Sequence, residues 1–325
     1  MKAIVYHRYG SPDVLQYEEI DKPTPAIDDV LIKVAAASVN PYDWHFMRGE
    51  PYLLRLMAGL QAPKNPRLGA DVAGTVASVG DHVKQLKPGD SVFGTAKGAF
   101  AEYVCARESR LVLKPESVTF EQAASVPIAA ITALQALRDK GRIQAGDKVL
   151  INGAAGGVGT FAVQIAKYFG AEVTAVCSGG KLEMVRGIGA DHAIDYRREN
   201  FTTGEKRYDI ILDCVGNHLL TACRRVLSPQ GVYVGAGGGT GRWMLGPLLQ
   251  MIALPLLSWT GSRKFVGILA KMNQSDLIFL GELVASGKVK PVIDRQYGLS
   301  EIPEAIRYLE EGHARGKVVI RVGQT

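Results

Sequence analysis

Apolar residues in the first hundred or so positions occur in short runs that glycine, proline and aspartate interrupt. Val- and Ala-rich stretches such as KAIVYH, VLIKVAAASV and AGTVASVG alternate with turn formers, among them the PGD at positions 88–90. Short runs of this kind, bounded by turn residues, are typical of strands. Pro and Gly preset the backbone angles of the intervening turns. The pattern predicts a small β-rich barrel or sandwich at the start of the chain.

The pattern changes after residue 118. The stretch TFEQAASVPIAAITALQALRDK has apolar positions at helical spacing, and its Thr119 followed by Glu121 is typical of a helix N-terminus. Apolar strands KVLIN, EVTAVC, YDIILDCVG and GVYVGAG then alternate with helical segments. Such alternation predicts an α/β domain whose parallel sheet is covered on both faces. The final stretch GKVVIRV is again a predicted strand, and we expect it to rejoin the β-rich domain.

Composition narrows the classes of protein that fit. The chain has 325 residues, 47% hydrophobic and 22% charged, with a formal net charge of +6. Its basic residues are scattered rather than clustered with aromatics, so we do not expect nucleic-acid binding. The four cysteines show no C-x-x-C spacing and the N-terminus is too polar for a signal peptide, which favours a reducing, cytoplasmic location. The cysteines are Cys105, Cys177, Cys214 and Cys223.

One apolar run raises the question of a membrane. Residues 244–258 read MLGPLLQMIALPLLS, which is shorter than a bilayer span and contains Pro247 and Pro255. We therefore expect a packed or partner-facing helix and no membrane contact, with membrane-surface contact as the alternative. For the wider segment 241–272, the two roles that fit this composition are covering an apolar substrate pocket and packing in a dimer interface.

The stretch VLINGAAGGVGTFAVQIAK at 149–167 has the pattern of a phosphate cradle. An apolar strand leads into small residues spelled A-x-G-x-x-G from Ala154, and a helix follows. Small residues let the backbone approach a pyrophosphate, and the helix N-terminus offers free N–H groups. The alternative is a tight βα turn without a ligand. The βα context favours a dinucleotide site, with contacts predicted from Gly153, Ala154, Gly156, Gly157, Val158 and Gly159.

The turn after the next strand indicates which dinucleotide binds. An NAD site usually has Asp or Glu at the end of this strand. Here EVTAVC ends at Cys177 and continues as Ser178-Gly179-Gly180-Lys181. A hydroxyl, free N–H groups and a lysine suit a 2′-phosphate. The alternative is a polar turn with a solvated lysine, but the cradle upstream favours NADP(H).

The layout resembles the medium-chain dehydrogenase/reductase superfamily, in particular its zinc-independent, quinone oxidoreductase-like branch. The matching motifs span nearly the whole chain and include PDVL, ASVNPYDWHFMRG, LGADVAGTVASVG, KPGDSVFG, FAEYV, NGAAGGVG, ILDCVG and GHARGKVVI. The resemblance implies a GroES-like, β-rich catalytic domain at 1–120 and 290–325. A Rossmann domain with a doubly wound parallel sheet, at 121–289, would bind NADP(H), and the active site would lie in the cleft. The family also suggests a homodimer.

The resemblance implies further cofactor contacts. Ser178 and Lys181, supported by Tyr196, stand at the positions of a 2′-phosphate site. Contacts on the nicotinamide side are implied for Thr132, Val215, Val234 and Gly235. Gly316 and Lys317 are similar to a cofactor-contacting turn before the last strand.

The family's zinc ligands can be checked against this sequence. Asn40 stands at the position of the ligand Cys, and Ala70 at that of the ligand His. An amide and a methyl group cannot replace thiolate and imidazole on zinc. The four-cysteine lobe of a structural zinc is also absent from the sequence. His45 and His82 are lone histidines, so we expect no metal.

Without a Lewis acid, hydride transfer to a conjugated acceptor is easier than alcohol oxidation. Charge that reaches a quinone or enone oxygen needs only hydrogen-bond donors. We therefore predict an NADPH-dependent reductase of small apolar quinones or α,β-unsaturated carbonyls, with Asn40, Tyr52 and His45 as catalytic residues. Tyr42 is a further candidate donor, whereas Asp43 and Asp71 are expected to hold turns. The alternatives are an NADP-dependent alcohol dehydrogenase and a non-catalytic NADPH-binding regulatory protein.

Overall fold

The computed structural model describes residues 1–236, 254, 258 and 261–322. Its contacts divide the chain into two units. The first, the β-rich unit, consists of Met1–Ile131, Met272–Gly287 and Pro291–Thr325. The second, the parallel-sheet unit, consists of Thr132–Lys271 and Lys288–Lys290. The domain boundaries at 120/121 and 289/290 stay a prediction.

Between Thr119 and Gly235, strands and helices alternate in the order that the hydrophobic pattern indicates. The strands are β1 (Lys2–Val5), β2 (Gln16–Glu19), β3 (Asp29–Val39), β4 (Asp71–Val79), β5 (Ser91–Thr95), β6 (Tyr103–Arg107), β7 (Leu111–Leu113), β8 (Lys148–Asn152), β9 (Glu172–Cys177), β10 (His192–Asp195), β11 (Tyr208–Asp213), β12 (Leu227–Gly235), β13 (Lys264–Gly267), β14 (Ile293–Gly298) and β15 (Lys317–Arg321). The helices are α1 (Pro41–Arg48), α2 (Leu54–Ala58), α3 (Phe120–Ser125), α4 (Pro127–Gln135), α5 (Gly157–Tyr168), α6 (Leu182–Gly187), α7 (Leu220–Val226), α8 (Gln274–Ala285) and α9 (Ile302–Glu310).

The β-rich unit is built around one mixed sheet. Its strand order is β14-β15-β3-β4-β5-β7, with β6 also paired to β3, and β1 and β2 form a separate hairpin. β15 runs antiparallel to β3, with Val319 opposite Ser38. The expectation that the strand GKVVIRV rejoins the β-rich part of the chain is therefore confirmed. The fully buried side chains of Ile32 and Phe100 belong to its core.

Within the described residues, the parallel-sheet unit contains six strands in the order β10-β9-β8-β11-β12-β13. All five neighbouring pairs are parallel. From β8 the chain first builds the sheet towards β10 and then returns to build it towards β13, so β8 and β11 are the strands at which the order reverses. Open α/β sheets bind ligands beyond the carboxyl ends of the strands at such a switch point. The predicted doubly wound α/β fold is confirmed.

The helical stretch from residue 119 begins as expected but is not continuous. Thr119 caps α3 by accepting a hydrogen bond from the Gln122 backbone N–H, and the Gln122 side chain accepts one from the Thr119 N–H. Pro127 then starts a new helix, because proline suits a first helical turn and cannot donate from its nitrogen. After α4 the backbone forms a π-helical turn over Ala136–Gly141.

The apolar run at 244–258 lies outside the described residues except for positions 254 and 258. Leu254 is buried in a cluster with Tyr233 and Phe265. The predicted roles of 241–272 as a pocket roof or an interface stay predictions. Among the described residues, no helix is both long and apolar enough to cross a bilayer.

Candidate functional site

The loop between β8 and α5 has the shape that a phosphate cradle needs. Gly153 has a φ of +83°, a backbone conformation that residues with a side chain rarely adopt. A Cβ on Gly159 would lie 2.2 Å from the Gly153 carbonyl oxygen, so α5 packs closely against the loop. By contrast, a Cβ on Gly156 would meet no atom nearer than 3.5 Å. The backbone at Gly156 is therefore open to a ligand at the N-terminus of α5, and the residues present fit a dinucleotide pyrophosphate.

Two more of the predicted contact segments lie at the same carboxyl edge of the parallel sheet. A Cβ on Gly153 would lie 2.8 Å from Val215 Cγ2, so the loop after β11 packs directly on the cradle. Val234 is buried and Gly235 is half-buried at the end of β12. The structure thus places two of the nicotinamide-side segments at the same edge as the cradle. Thr132 is half-buried within α4, and its predicted role stays a prediction.

Ser178 and Lys181 lie in the turn after β9, and Tyr196, the third residue predicted to bind a 2′-phosphate, follows β10 beside it. The Lys181 backbone N–H donates to the Ser178 carbonyl at 2.9 Å, and the Tyr196 N–H donates to the Cys177 carbonyl at 3.2 Å. The Tyr196 side chain is about half exposed, with the Arg197 guanidinium 5.9 Å from its ring centroid.

One carboxylate at this turn was missed by sequence reasoning. Asp195 ends β10 opposite Cys177, and its Oδ2 lies 2.6 Å from the position that a Cβ on Gly179 would occupy. Its oxygens also contact basic residues: Oδ1 accepts from the Arg197 backbone N–H at 3.1 Å, and Oδ2 lies 3.8 Å from Arg198 Nε. The sequence pattern could have indicated that Asp195 lies near this turn, because the carboxyl ends of adjacent parallel strands meet at one edge of a sheet.

In the β-rich unit, Asn40, Asp71 and Lys317 form a buried polar cluster. The Lys317 ammonium donates to Asn40 Oδ1 at 2.6 Å and lies 3.5 Å from Asp71 Oδ2. Asp71 Oδ2 also accepts from Asn40 Nδ2 and from Ser38 Oγ, each at 2.8 Å. Asp71 Oδ1 accepts from the Ile128 N–H at 3.0 Å. Asn40 and Lys317 are only 2% and 3% exposed. Burial lowers the pKa of Lys317 below its ordinary value, and the carboxylates of Asp71 and Asp43 offset part of this decrease.

The hydrogen bonds fix which way the Asn40 amide faces. An ammonium only donates, so the amide oxygen must face Lys317. The two amide hydrogens then go to Asp71 Oδ2 and to the Ser38 carbonyl, the latter at 3.3 Å. Both hydrogens are engaged, and only one lone pair of the oxygen is left. The catalytic role of Asn40 stays a prediction, but donation to a substrate would require it to leave Asp71 or Ser38.

Asp43 lies beside this cluster and holds the entry to α1. Its two carboxyl oxygens accept from the backbone N–H groups of Asn40, at 2.8 Å, and Gly69, at 3.1 Å. Burial raises the pKa of Asp43 to about 7, and Asp71 adds to the rise, whereas the two N–H bonds and Lys317 oppose it. The expected turn-holding roles of Asp43 and Asp71 agree with these contacts.

The remaining predicted catalytic residues follow Asn40 in the chain. His45 Nδ1 lies 2.8 Å from the Glu50 carbonyl oxygen, which can only accept, so Nδ1 carries the proton. Burial lowers the pKa of His45, which leaves Nε2 as an acceptor in the neutral ring. Tyr52 is 38% exposed, with the Arg55 guanidinium 4.8 Å from its ring centroid. Their catalytic roles stay predictions.

The turn before β15 requires glycine. Gly316 has a φ of +101°, and a Cβ there would lie 2.2 Å from the Val292 carbonyl oxygen. The turn delivers Lys317 into the cluster with Asn40. The cofactor contacts of Gly316 and Lys317 stay predictions, and the ammonium has protein partners in this structure.

Residues that could ligate a metal are dispersed. Over residues 1–236 and 261–322, no three His, Cys, Asp or Glu side chains are grouped for a metal ion. All four cysteines are free, and burial, with a smaller effect of Asp213, raises the pKa of Cys214 to about 12. Ala70, at the position of the ligand His, is buried.

Comparisons with known proteins identify two matching domain families and relatives that align with nearly the whole chain. The model of the alcohol dehydrogenase GroES-like domain matches residues 26–116, and that of the zinc-binding dehydrogenase matches residues 188–320. The chain is 36% identical to the 2-methylene-furan-3-one reductase of Solanum lycopersicum, over 98% of this chain and 79% of that protein. It is equally similar, with the same coverage, to the chloroplastic NADPH-dependent alkenal/one oxidoreductase of Arabidopsis thaliana.

Solved structures agree with this result. The quinone oxidoreductase from Coxiella burnetii superposes with a TM-score of 0.89 at 34% identity, covering 99% of both chains. The Escherichia coli quinone oxidoreductase complexed with NADPH gives a TM-score of 0.85 at 26% identity, covering 99% of this chain and all of that one.

Proposed function

Because the chain belongs to the quinone oxidoreductase-like branch of the medium-chain dehydrogenase/reductase superfamily, we propose that it is an NADPH-dependent reductase of quinones or α,β-unsaturated carbonyls that works without a metal ion. The observation that carries the proposal is the open backbone at Gly156, at the N-terminus of α5 and at the switch point of the sheet. A structural βα turn would not need this combination of close packing at Gly159 and open space at Gly156.

The chain's own residues account for binding and orientation of the cofactor. NADPH supplies the hydride when it is bound. The N–H groups at the start of α5 would hold its pyrophosphate, because they have no partners within the helix and point along the helix dipole. The Ser178 hydroxyl and the Lys181 ammonium would hold the 2′-phosphate. A lysine there favours NADPH over NADH, since it gains more from a dianion than from a hydroxyl.

Metal independence is supported by residue chemistry at two positions. Asn40 and Ala70 replace the thiolate and the imidazole that the zinc-dependent members use, and the Asn40 amide oxygen already accepts from Lys317. Neither side chain is a zinc ligand of the usual kind. A conjugated carbonyl or a quinone fits such a site, because the charge it gains is spread onto an oxygen that hydrogen-bond donors can stabilise.

The phenols are the better candidates for that donor. Tyr42 and Tyr52 are partly exposed, and burial, with a smaller effect of Asp43, raises the pKa of Tyr42, so its hydroxyl keeps the proton at neutral pH. His45 accepts rather than donates while its ring is neutral. We propose that Tyr52 or Tyr42 donates to the acceptor oxygen and that Asn40 has a positioning role.

The surface next to Tyr52 supports an apolar acceptor. No residue of α2 is buried, and four large apolar side chains in α2 or within two residues of its ends are exposed by 49–78%, namely Leu53, Leu56, Met57 and Leu60. The segment is nevertheless anchored, because the Tyr9 hydroxyl donates to the Gly59 carbonyl at 2.6 Å and Arg55 Nε donates to the Gly49 carbonyl at 3.1 Å. An anchored apolar surface beside a candidate donor suits small apolar quinones, enals and enones.

The decisive experiment is NADPH consumption with a panel of quinones, enals and enones, using protein treated with a metal chelator. We expect turnover that the chelator does not reduce, and no NADP⁺ reduction with simple alcohols. Tight NADPH binding without turnover across the panel would contradict a reductase and favour a non-catalytic NADPH-binding protein. Chelator-sensitive alcohol oxidation would favour an alcohol dehydrogenase.

The proton donor is tested by removing single hydroxyls. If Tyr52 donates, Tyr52→Phe lowers kcat by about 100-fold, the lower end of the range for general acids, and leaves NADPH binding unchanged. Tyr42→Phe tests the other candidate, and Tyr17→Phe, on β2, is the control for an exposed phenol. Full activity of the first two variants would show that neither phenol takes part in the reaction.

The homodimer and the cytoplasmic location stay predictions. Analytical ultracentrifugation tests the homodimer.

A further inference from the structure

Asp213 is the last residue of β11, and its side chain is 1% exposed at the carboxyl edge of the parallel sheet. It pairs in register with Asn152, the last residue of β8. These two residues therefore stand side by side at the switch point. Their side chains are bonded as well, because Asn152 Nδ2 donates to Asp213 Oδ1 at 2.9 Å.

The same carboxyl group folds the loop that follows β11. Asp213 Oδ1 also accepts from the backbone N–H groups of Val215, at 2.9 Å, and Gly216, at 2.8 Å. Gly216 has a φ of +72°, which lets the chain turn tightly over the carboxylate. A second bond fixes the far side of the loop, since Asn152 Nδ2 donates to Asn217 Oδ1 at 2.9 Å.

A third strand is tied to the same residue. The Tyr233 hydroxyl on β12 donates to Asp213 Oδ2 at 2.8 Å, and the Ala236 N–H donates to the Asp213 carbonyl at 2.8 Å. Asp213 thus connects three segments beyond the strand ends. They are the cradle that starts after Asn152, the loop 214–217, and the end of β12.

We propose that Asp213 is the positioning residue for the nicotinamide half of the cofactor site. It holds the loop 214–217 against the cradle, where Val215 already packs on Gly153. The identity of the cofactor rests on the proposed function. No contact between Asp213 and the cofactor is required, because Asp213 acts through the backbone of the loop.

The donor set explains why this position takes a carboxylate. The Asn152 amide hydrogen and the two loop N–H groups can only donate, and the Tyr233 hydroxyl is turned to donate as well. A side chain that only accepts satisfies all four at once. Asparagine at this position keeps one oxygen for the loop and turns its NH₂ group to Tyr233, whose hydroxyl can accept instead. Alanine removes the acceptor of the two loop N–H groups, of the Tyr233 hydroxyl and of one Asn152 amide hydrogen, while Asn152 keeps its bond to Asn217.

The test compares two ligands that share only the adenosine half of NADPH. Calorimetry measures binding of NADPH and of adenosine 2′,5′-bisphosphate to wild-type protein and to Asp213→Ala. We expect NADPH binding to weaken about tenfold, the effect of losing a positioned hydrogen-bond network. Binding of the bisphosphate should change by less than about twofold, because the turn at Ser178 and Lys181 does not depend on Asp213.

Asp209→Asn is the matched control. Asp209 lies on the same strand, and its Oδ2 accepts from the Lys148 N–H of the same neighbouring strand at 2.9 Å, but at the amino edge of the sheet. We expect this variant to bind both ligands as wild type does. If Asp213→Ala does not fold, Asp213→Asn replaces it, with an expected weakening of NADPH binding of about threefold.

The outcomes separate the inference from the proposed function. Equal weakening of both ligands, or unchanged NADPH binding in the Asp213 variants, overturns the positioning role while leaving the proposed function in place. If wild-type protein binds neither ligand, the cofactor is wrong and the proposed function fails, and the inference fails with it.

Discussion

The Lys317 ammonium lies 2.6 Å from the Asn40 amide oxygen, and this contact joins residues 277 positions apart in the chain. It fixes the orientation of the amide and places a cation 3.5 Å from the buried carboxylate of Asp71. Asn40 is the residue that precedes α1, and Lys317 is the first residue of β15. The last strand of the β-rich sheet therefore helps to set the position of a predicted catalytic residue.

Replacing Lys317 with methionine tests how much this contact contributes to stability. Lys317→Met keeps an unbranched side chain one atom shorter, but leaves Asp71 without its cation and Asn40 Oδ1 without the Lys317 donor. Removing one partner of a buried ion pair costs about 3–5 kcal/mol in free energy of unfolding. Chemical denaturation measures the loss. Lys87→Met, at an exposed lysine, is the control and should change stability by less than about 0.5 kcal/mol.

A double variant identifies the source of the cost. If the unpaired carboxylate is responsible, adding Asp71→Asn to Lys317→Met should recover part of the lost stability, since no uncompensated buried charge is left. Additive losses in the double variant would show instead that the two side chains contribute independently.

Asp43 should make stability depend on pH. Its pKa is raised from 3.8 in an ordinary carboxyl to about 7 in the folded protein. Between these values the folded state holds more protons than the unfolded state, so the free energy of unfolding decreases as pH rises through this window. Denaturation at about pH 5 and about pH 8 should show a larger decrease for wild type than for Asp43→Asn, which cannot ionise. Equal decreases would contradict the raised pKa.

Two glycines of the cradle should respond differently to alanine. Gly156→Ala meets no atom within 3.4 Å and should fold normally, yet its methyl group would obstruct the pyrophosphate and weaken NADPH binding by about tenfold or more. Gly159→Ala should destabilise the protein as well, because its Cβ would collide with the Gly153 carbonyl. Calorimetry and denaturation separate the two effects. Gly187→Ala, with open space at its Cβ, is the control, and normal NADPH binding by Gly156→Ala would argue against the cradle.

Asp195 should reduce the preference for NADPH. Its carboxylate lies behind Gly179, next to the turn proposed to hold the 2′-phosphate. Asp195→Asn removes a like charge but keeps an oxygen for the Arg197 N–H, so NADPH should bind a few-fold more tightly while NADH binding changes less. Glu183→Gln, at an exposed acid on α6, controls for net charge. A weaker preference for NADPH in Asp195→Asn would mean that Asp195 supports the turn instead.

The sequence was sufficient for features that local patterns encode. The parallel sheet followed from apolar runs alternating with helices, and the cradle followed from small residues between a strand and a helix. Asp213 and Asp195 were not found, because their roles depend on which strand ends become neighbours. The engagement of the Asn40 amide by Lys317 depends on a pairing across nearly the whole chain, which no window of sequence contains.

The position of β15 in the sheet affects how the protein can fold during synthesis on the ribosome. β15 lies between β14 and β3 in the mixed sheet, although the ribosome makes β3 long before β15. Until then residues 36–39 of β3 lack their strand partner on one edge, although β6 can already pair with residues 29–33. Every strand described in the parallel sheet has by then been made. The nascent chain can therefore complete the parallel-sheet unit first, and the emerging β-rich unit must be protected from edge-to-edge association until its last strand has been made.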